Sequence, residues 1–232
     1  MSTNVDYKFE GAEILQMGDL LANYDRSIAV MVCRYANGAR DVLDFGAGIG
    51  TLSETVRKMG VVPLCLEPDG RQRAVLDRRG FKTVTSPGEL GDESLDYIYS
   101  SNVLEHIEDD VETLVELRRK LRPGGRLFLY IPAFQSLYSA MDRAVGHVRR
   151  YERSMLEQKL RDAGYVVEDS YYADFFGYFV TRIFKAIGDD TGKINPFTLK
   201  VYDRLIFPVG HFIEKLVRVS VGKNVVAVAR KA

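Results

Sequence analysis

The sequence Asp44-Phe45-Gly46-Ala47-Gly48-Ile49-Gly50 sits between an apolar run and a stretch with helical patterning. Glycines at this spacing let the backbone turn tightly and approach a ligand at the carboxyl end of a strand. The pattern departs from GxGxxG, which seats a pyrophosphate on a helix N-terminus. Here the third glycine comes one residue early, and Asp44 precedes the first by two. An acid at that point is awkward beside pyrophosphate and suits a ligand carrying an ammonium group. Glu67 closes the next apolar run, where a carboxylate can take two hydrogen bonds from a ribose diol.

The chain has 3 histidines. His106 stands in VLEHI, after a fourth apolar run, either lining a site or hydrogen bonding at the start of a helix. His147 stands in MDRAVGHVRRYERSML, between a fifth run and the next helix. An imidazole titrating near about 6.5 can accept a hydroxyl proton at neutral pH. Asp142 is placed to orient His147; alternatively, Asp142, His147 and Arg150 pin a loop by hydrogen bonds. Arg149 and Arg150 suit a phosphate or carboxylate on a substrate, or else form a solvated surface. His211 lies in an apolar run and reads as a packed histidine.

These residues need a scaffold, and the chain supplies alternating elements. Residues 41–47, 61–69, 82–86, 95–102 and 126–133 read as strands, separated by helices closed by Gly60, by Gly80 and by the RPGG turn. Asp109 or Asp110 can cap the helix whose face is traced by Val111, Leu114, Val115 and Leu121. Ser154 with Glu157 forms a capping box for a helix reaching Gly164. Two further strands follow, at 165–174 and 224–231. Alternation of this kind calls for a parallel sheet covered on both faces.

Composition removes several classes. The chain has 232 residues, 46% hydrophobic and 28% charged, which excludes disordered and collagen-like classes. Lys+Arg 32 against Asp+Glu 32 leaves no basic excess for gripping nucleic acid. Cys33 and Cys65 form no CxxC pair, so neither a disulfide framework nor a metal site is expected. The polar N-terminus is no signal peptide, and no apolar run is long enough to span a bilayer. A reduced, cytoplasmic setting is expected.

Taken together, DVLDFGAGIG, LCLEPD, LDYIYSSNVLEHI and LRPGGRLFLYIP resemble a class I S-adenosylmethionine-dependent methyltransferase, of the small-molecule subgroup, over residues 40–174 and the final strand. The resemblance implies a Rossmann-like α/β fold: a seven-stranded, mostly parallel sheet with an antiparallel final strand and helices on both faces. It implies S-adenosyl-L-methionine as cofactor, with S-adenosyl-L-homocysteine as product. Asp44, Gly46, Ala47, Gly48 and Gly50 would pack against the methionine moiety, and Glu67 would hold the ribose hydroxyls. Pro68 and Ser86 would flank the adenine, and Ser101 and Asn102 would end over the sulfonium. The 142–151 stretch resembles a D-x4-GH-x-RRY segment of one methyltransferase subgroup, which makes Asp142, His147 and Tyr151, with His106, the candidate catalytic residues. Tyr24 and Arg26 of the covering arm would reach the methionine carboxylate.

The expected organisation is an N-terminal helical arm (1–40), a cofactor-binding core (41–174), an aromatic-rich helical insertion or lid (175–222) and a final core strand (223–232). The insertion carries seven basic against four acidic residues, and can serve as a cap, a lid over a greasy acceptor with peripheral membrane contact, or a dimer surface. The expected activity is methyl transfer to a hydroxyl, less readily an amine or carboxylate, of a small-molecule, glycan or lipid-linked acceptor. The chain would act as a monomer or homodimer. The alternatives are a nicotinamide-dependent oxidoreductase and a non-catalytic module that binds S-adenosylmethionine.

Overall fold

A computed structural model describes residues 21–186, 196–216 and 219–232. Seven strands form one sheet in the order β3-β2-β1-β4-β5-β7-β6. They are β1 (Val42–Phe45), β2 (Leu64–Leu66), β3 (Thr83–Val84), β4 (Leu95–Ser101), β5 (Leu121–Pro132), β6 (Tyr165–Ala173) and β7 (Asn224–Lys231). The first five pair in parallel. β7 slots between β5 and β6 and runs antiparallel to both. The strand order reverses between β1 and β4, and ligands of open α/β sheets bind at that point, outside the carboxyl ends.

Both faces of the sheet are covered, so the central strands are apolar at successive residues instead of alternating. Leu127, Leu129 and Ile131 point to one face, where Leu114 and Leu117 of a helix at Asp110–Lys120 and Leu156 and Leu160 of another at Arg153–Asp162 pack on them. Phe128 and Tyr130 point to the other face, beneath Ile28, Ala29 and Val32 of Ala22–Ala36 and Val56 of Thr51–Lys58. In chain order these helices are α1 (22–36), α2 (51–58), α3 (70–78), α4 (110–120), α5 (140–144) and α6 (153–162).

Two local expectations are corrected. β5 begins at Leu121 instead of 126, because Leu121 pairs with Leu95 before the register shifts to Tyr97 with Arg126. The Ser154–Glu157 capping box does not form: α6 starts at Arg153 with Glu152 at its cap position. Glu157 turns instead to Arg161 at 3.0 Å and Arg153 at 3.7 Å, one helical turn away on either side.

The insertion comprises α7 (Phe175–Ala186), α8 (Pro196–Val201), a π-helical turn at Tyr202–Ile206 and α9 (Phe207–Leu216). Asp203 ties it to α1. The Leu21 cap position offers no side-chain acceptor, and the buried Asp203 carboxylate accepts the backbone N–H groups of Asn23 at 3.1 Å and Tyr24 at 2.9 Å. A distant residue therefore does the work of a local N-cap. Among the described residues, no helix is long and apolar enough to cross a membrane.

Asp110 holds the stretch after His147 against the sheet. Its carboxylate accepts from Arg149 at 2.9 Å, Tyr151 Oη at 2.7 Å and Lys159 Nζ at 2.7 Å. Asp110→Ala leaves these three groups buried or half-buried without their acceptor. It should destabilise the chain by about 3–5 kcal/mol in denaturant unfolding; a loss below about 1 kcal/mol would show that the cluster contributes little.

Candidate active site

The loop after β1 lies against the loop after β4. Gly46 takes φ 80°, and a Cβ added there would fall 2.3 Å from Val103 Cγ2. Gly50, at φ 82°, would drive a Cβ to 2.5 Å from Leu76. These two glycines allow close packing of loop and helix. Gly48 differs: a Cβ there would find only Gln72 Oε1 within 4 Å, at 3.2 Å, so that side of the turn faces open space. The N–H groups of Gly46 and Ala47 both bond to Leu66 O, at 2.9 and 3.0 Å, and lock the turn to the end of β2.

Glu67 is buried at that end. Its carboxylate accepts Gly48 N–H at 2.8 Å and Asp69 N–H at 2.9 Å. Four lone-pair positions minus these two bonds leave acceptor capacity for a diol. The open face at Gly48 and the spare acceptors of Glu67 fit a ribose-bearing ligand such as S-adenosylmethionine. Pro68 follows directly, its carbonyl held by Arg73 at 2.9 Å. Ser86 is exposed beyond β3, capping a short turn with Glu89. Ser101 ends β4, and Asn102 takes φ 55°, its N–H bonded to Tyr130 O at 2.8 Å and its Nδ2 to Ser101 Oγ at 3.2 Å.

Asp44 does not face an incoming ammonium group. It is 2% exposed and its carboxyl bonds to Ser53 of α2, beneath the turn. Burial, with a smaller push from Glu67 and against the hydrogen bonds it receives, raises it to about 7. The sequence placed an acid at the loop, but the strand's direction turns this side chain inward.

A second cluster forms beyond β4 and β5. Asp142 is buried and accepts Arg150 Nε at 2.8 Å, Arg150 Nη2 at 3.0 Å and Ser139 N–H at 2.9 Å. His147 Nδ1 lies 2.7 Å from Asp142 Oδ1. Burial opposes ionisation of Asp142, but the hydrogen bonds from His147 and Arg150, together with the Arg150 charge, hold it well below the usual carboxylate range. His106 meets His147 edge-on, with ring centroids 4.7 Å apart. Glu105 lies behind the rings, fully buried, and burial pushes it to about 8, with Asp142 adding to the shift and Arg150 opposing it. The sequence reading passed over Glu105 in favour of its neighbour His106; its signal was the acid–histidine pair directly after a strand.

Five sequence candidates fall outside this cluster. Tyr151 is fully buried, its hydroxyl on Asp110 at 2.7 Å and Leu104 O at 3.2 Å. Arg149 is spent on Asp110 and on the carbonyls of Ile107 at 2.8 Å and Glu108 at 2.9 Å. With Arg150 forked on Asp142, neither arginine awaits an anionic substrate. Tyr24 packs edge-on against Tyr130 and Phe207, its hydroxyl accepting Asn224 Nδ2 at 3.1 Å, while Arg26 is exposed. His211 stacks on Phe207 with centroids 5.7 Å apart.

A family model described as a methyltransferase domain matches residues 19–170. A probable S-adenosylmethionine-dependent methyltransferase of Mycolicibacterium smegmatis is 28% identical over 138 residues, covering 56% of this chain and 54% of that protein. A ubiquinone biosynthesis O-methyltransferase of Rhizobium johnstonii is 30% identical over 98 residues, 38% of this chain and 39% of that protein. A crystal structure from Thermotoga maritima, described as an S-adenosylmethionine-dependent methyltransferase and possible histamine N-methyltransferase, aligns with TM-score 0.65 at 16% identity. That alignment covers 96% of this chain and 95% of the other, and the likeness is one of fold. The matches span from 33% to 60% of the length of several curated relatives.

The buried acid under the glycine turn predicts a pH effect. Between its ordinary value of 3.8 and about 7, the native chain keeps a proton on Asp44 that the unfolded chain releases. Stability therefore falls as pH rises through that window, by at most about 1.4 kcal/mol per pH unit. Asp44→Asn removes this titration, so the melting temperature of the variant relative to the parent should rise between about pH 5 and pH 8. Parallel profiles would show that Asp44 does not titrate there.

Proposed function

Because the chain belongs to the methyltransferase-domain family and has the fold of class I S-adenosylmethionine-dependent methyltransferases, we propose that it methylates a hydroxyl oxygen of a small, partly apolar acceptor. When bound, S-adenosylmethionine supplies a methyl group already activated on a sulfonium. The turn at Gly46–Gly50 would take the methionine moiety, and Glu67 would accept hydrogen bonds from the ribose. Ser101 and Asn102 stand between that end and the histidine cluster, which gives the acceptor an approach from the far side.

The orientation of His147 carries the hydroxyl assignment. Asp142 accepts from Nδ1, so the lone pair is left on Nε2, which lies 3.7 Å from Glu105 Oε1. An amine acceptor already has a free lone pair, whereas a hydroxyl must lose a proton, and a cluster of fixed lone pairs serves that need. A relative from R. johnstonii, a ubiquinone biosynthesis O-methyltransferase by name, favours the same direction. The apolar character of the acceptor is inferred from the insertion. Lys185 of α7 bonds Ser136 O and Tyr138 O, both at 2.8 Å, beside the loop leading to Asp142. The same helix exposes Phe179, Ile183 and Phe184. A lipid-linked or prenylated acceptor fits such a neighbourhood.

The direct test is transfer of labelled methyl from S-adenosylmethionine into extracts, partitioned between organic solvent and water. Label in the organic phase is expected. Label confined to water would overturn the apolar acceptor, and saturable NADH binding without affinity for S-adenosylhomocysteine would overturn methyl transfer itself. Glu67→Gln should weaken S-adenosylhomocysteine binding about tenfold or more in calorimetry, since one charge-assisted hydrogen bond is worth that much. His147→Ala should lower turnover with cofactor affinity unchanged; retained turnover would reduce His147 to scaffolding.

A further inference from the structure

Among the described residues, neither carboxyl oxygen of Glu105 has a hydrogen-bond partner, and the residue is 0% exposed. Buried polar atoms are nearly always paired, so an orphaned carboxyl points to a partner that the surrounding side chains do not provide. Two imidazoles face it. His147 Nε2 lies 3.7 Å from Glu105 Oε1, and His106 sits edge-on to His147. One ligand atom from each of the three residues falls within 4.8 Å of the others. Ligands about 2.1 Å from a common ion stand roughly 3.0–3.4 Å apart, so modest rotation of the exposed His106 side chain closes the set.

The outer partners select the tautomers. His147 Nδ1 meets the Asp142 carboxylate at 2.7 Å, and His106 Nδ1 meets the Gly146 carbonyl at 3.3 Å. Both partners only accept, so each ring carries its proton on Nδ1 and its lone pair on Nε2. Histidines that bind metals are held in this way, with the second nitrogen on a carboxylate or carbonyl. The fork of Arg150 and the turn at Ser139 fix Asp142 in turn.

We infer that Glu105, His106 and His147 form a binding site for one divalent transition-series cation, of the Mn2+ to Zn2+ kind. Two imidazoles with one carboxylate suit such ions and not Mg2+ or Ca2+, which prefer an all-oxygen set. The exposed His106 leaves positions of the ion open to solvent. An acceptor hydroxyl bound there would lose its proton to water more readily, and its oxygen lone pair would form the bond to the methyl carbon as the carbon–sulfur bond breaks and leaves its electron pair on sulfur. With the ion bound, His147 serves as a ligand and the ion takes over the proton-loosening role that its Nε2 lone pair has in the ion-free chain. The catalytic use of the ion rests on the methyl-transfer reading; the binding of the ion does not.

The test takes the chain stripped with a chelator and titrates it with Co2+, followed by visible absorption, and with Zn2+, followed by calorimetry. S-adenosylhomocysteine is titrated separately. One ion per chain is expected. Glu105→Gln is nearly isosteric and His106→Ala changes an exposed ring, so both variants should fold, and each should weaken the ion about tenfold or more. Failure of either ion to saturate the site at millimolar concentration, or unchanged affinity in both variants, would overturn the site. Persistent S-adenosylhomocysteine binding without ion binding removes only the cation. Ion binding without S-adenosylhomocysteine affinity leaves the site standing and removes the methyl-transfer reading.

Discussion

β1 and β4 are neighbours in the sheet while the chain leaves their carboxyl ends in opposite directions, and the rest of the site follows from that arrangement. The two exit loops are pressed together so closely that Gly46 has no room for a Cβ beside Val103. The contact fixes where the glycine turn can go, and the bonds from Gly46 and Ala47 to Leu66 O fix its tilt. Glu67 then takes the Gly48 N–H and becomes both a wall of the turn and an acceptor facing out of it. On the far side of the contact, Asn102 bends the chain through a left-handed residue and delivers Glu105 and His106 to the same edge. Two sets of candidate groups thus lie along one edge of the sheet because a single pair of strands meets there.

Within the second set, two carboxyl groups have opposite surroundings. Asp142 is wrapped by donors from Ser139, His147 and Arg150 and stays ionised despite its burial. No side-chain donor among the described residues reaches the Glu105 carboxyl, and Arg150, whose charge opposes its shift, is already forked on Asp142. Burial of a carboxyl is tolerated when the surrounding fold completes its hydrogen bonds, and Asp142 shows that this loop can do so. Here the Glu105 carboxyl is left without a side-chain donor among the described residues, with His147 Nε2 at 3.7 Å and one ligand atom each of His106 and His147 within 4.8 Å.

The parts legible in the sequence were those governed by backbone geometry. The glycine spacing, the strand ends at Glu67 and Asn102 and the apolar β7 each follow from local pattern, and the seven-stranded sheet stands as expected. Side-chain direction was not legible. Asp44, Tyr151, Arg149 and Arg150 have the right types at the right edge, but their partners lie in other elements: Ser53 for Asp44, Asp110 for Arg149 and Tyr151, Asp142 for Arg150. An arginine that reads as substrate-binding and one that stitches a loop are the same letter. Glu105 escaped for the reverse reason: an acid beside a histidine reads as solvated helix start until the fold shows it shielded.

The insertion illustrates the same dependence on distant partners. Its aromatic content suggested a cap, and the ring contacts of Phe207 with Tyr24 and of Tyr178 with Phe134 join it to the core, with polar anchors beside them. Asp203 satisfies the first turn of α1 and Lys185 ties α7 to the loop after β5, while Glu214 accepts the Phe175 N–H at 2.6 Å and holds α9 to α7 within the insertion. Anchors of this kind carry direction as well as energy, because a carboxylate meets backbone donors in few orientations whereas apolar surfaces slide. With Asp203 and Glu214 turned inward, the described part of the insertion presents Phe179, Ile183, Leu205, Val209 and Phe212 outward together with the exposed Arg182 and Arg204. A cap that needed only to cover the sheet would bury those side chains. Polar anchoring frees the apolar face for whatever approaches the acceptor side, and the same loop that receives Lys185 leads directly to Asp142 and His147.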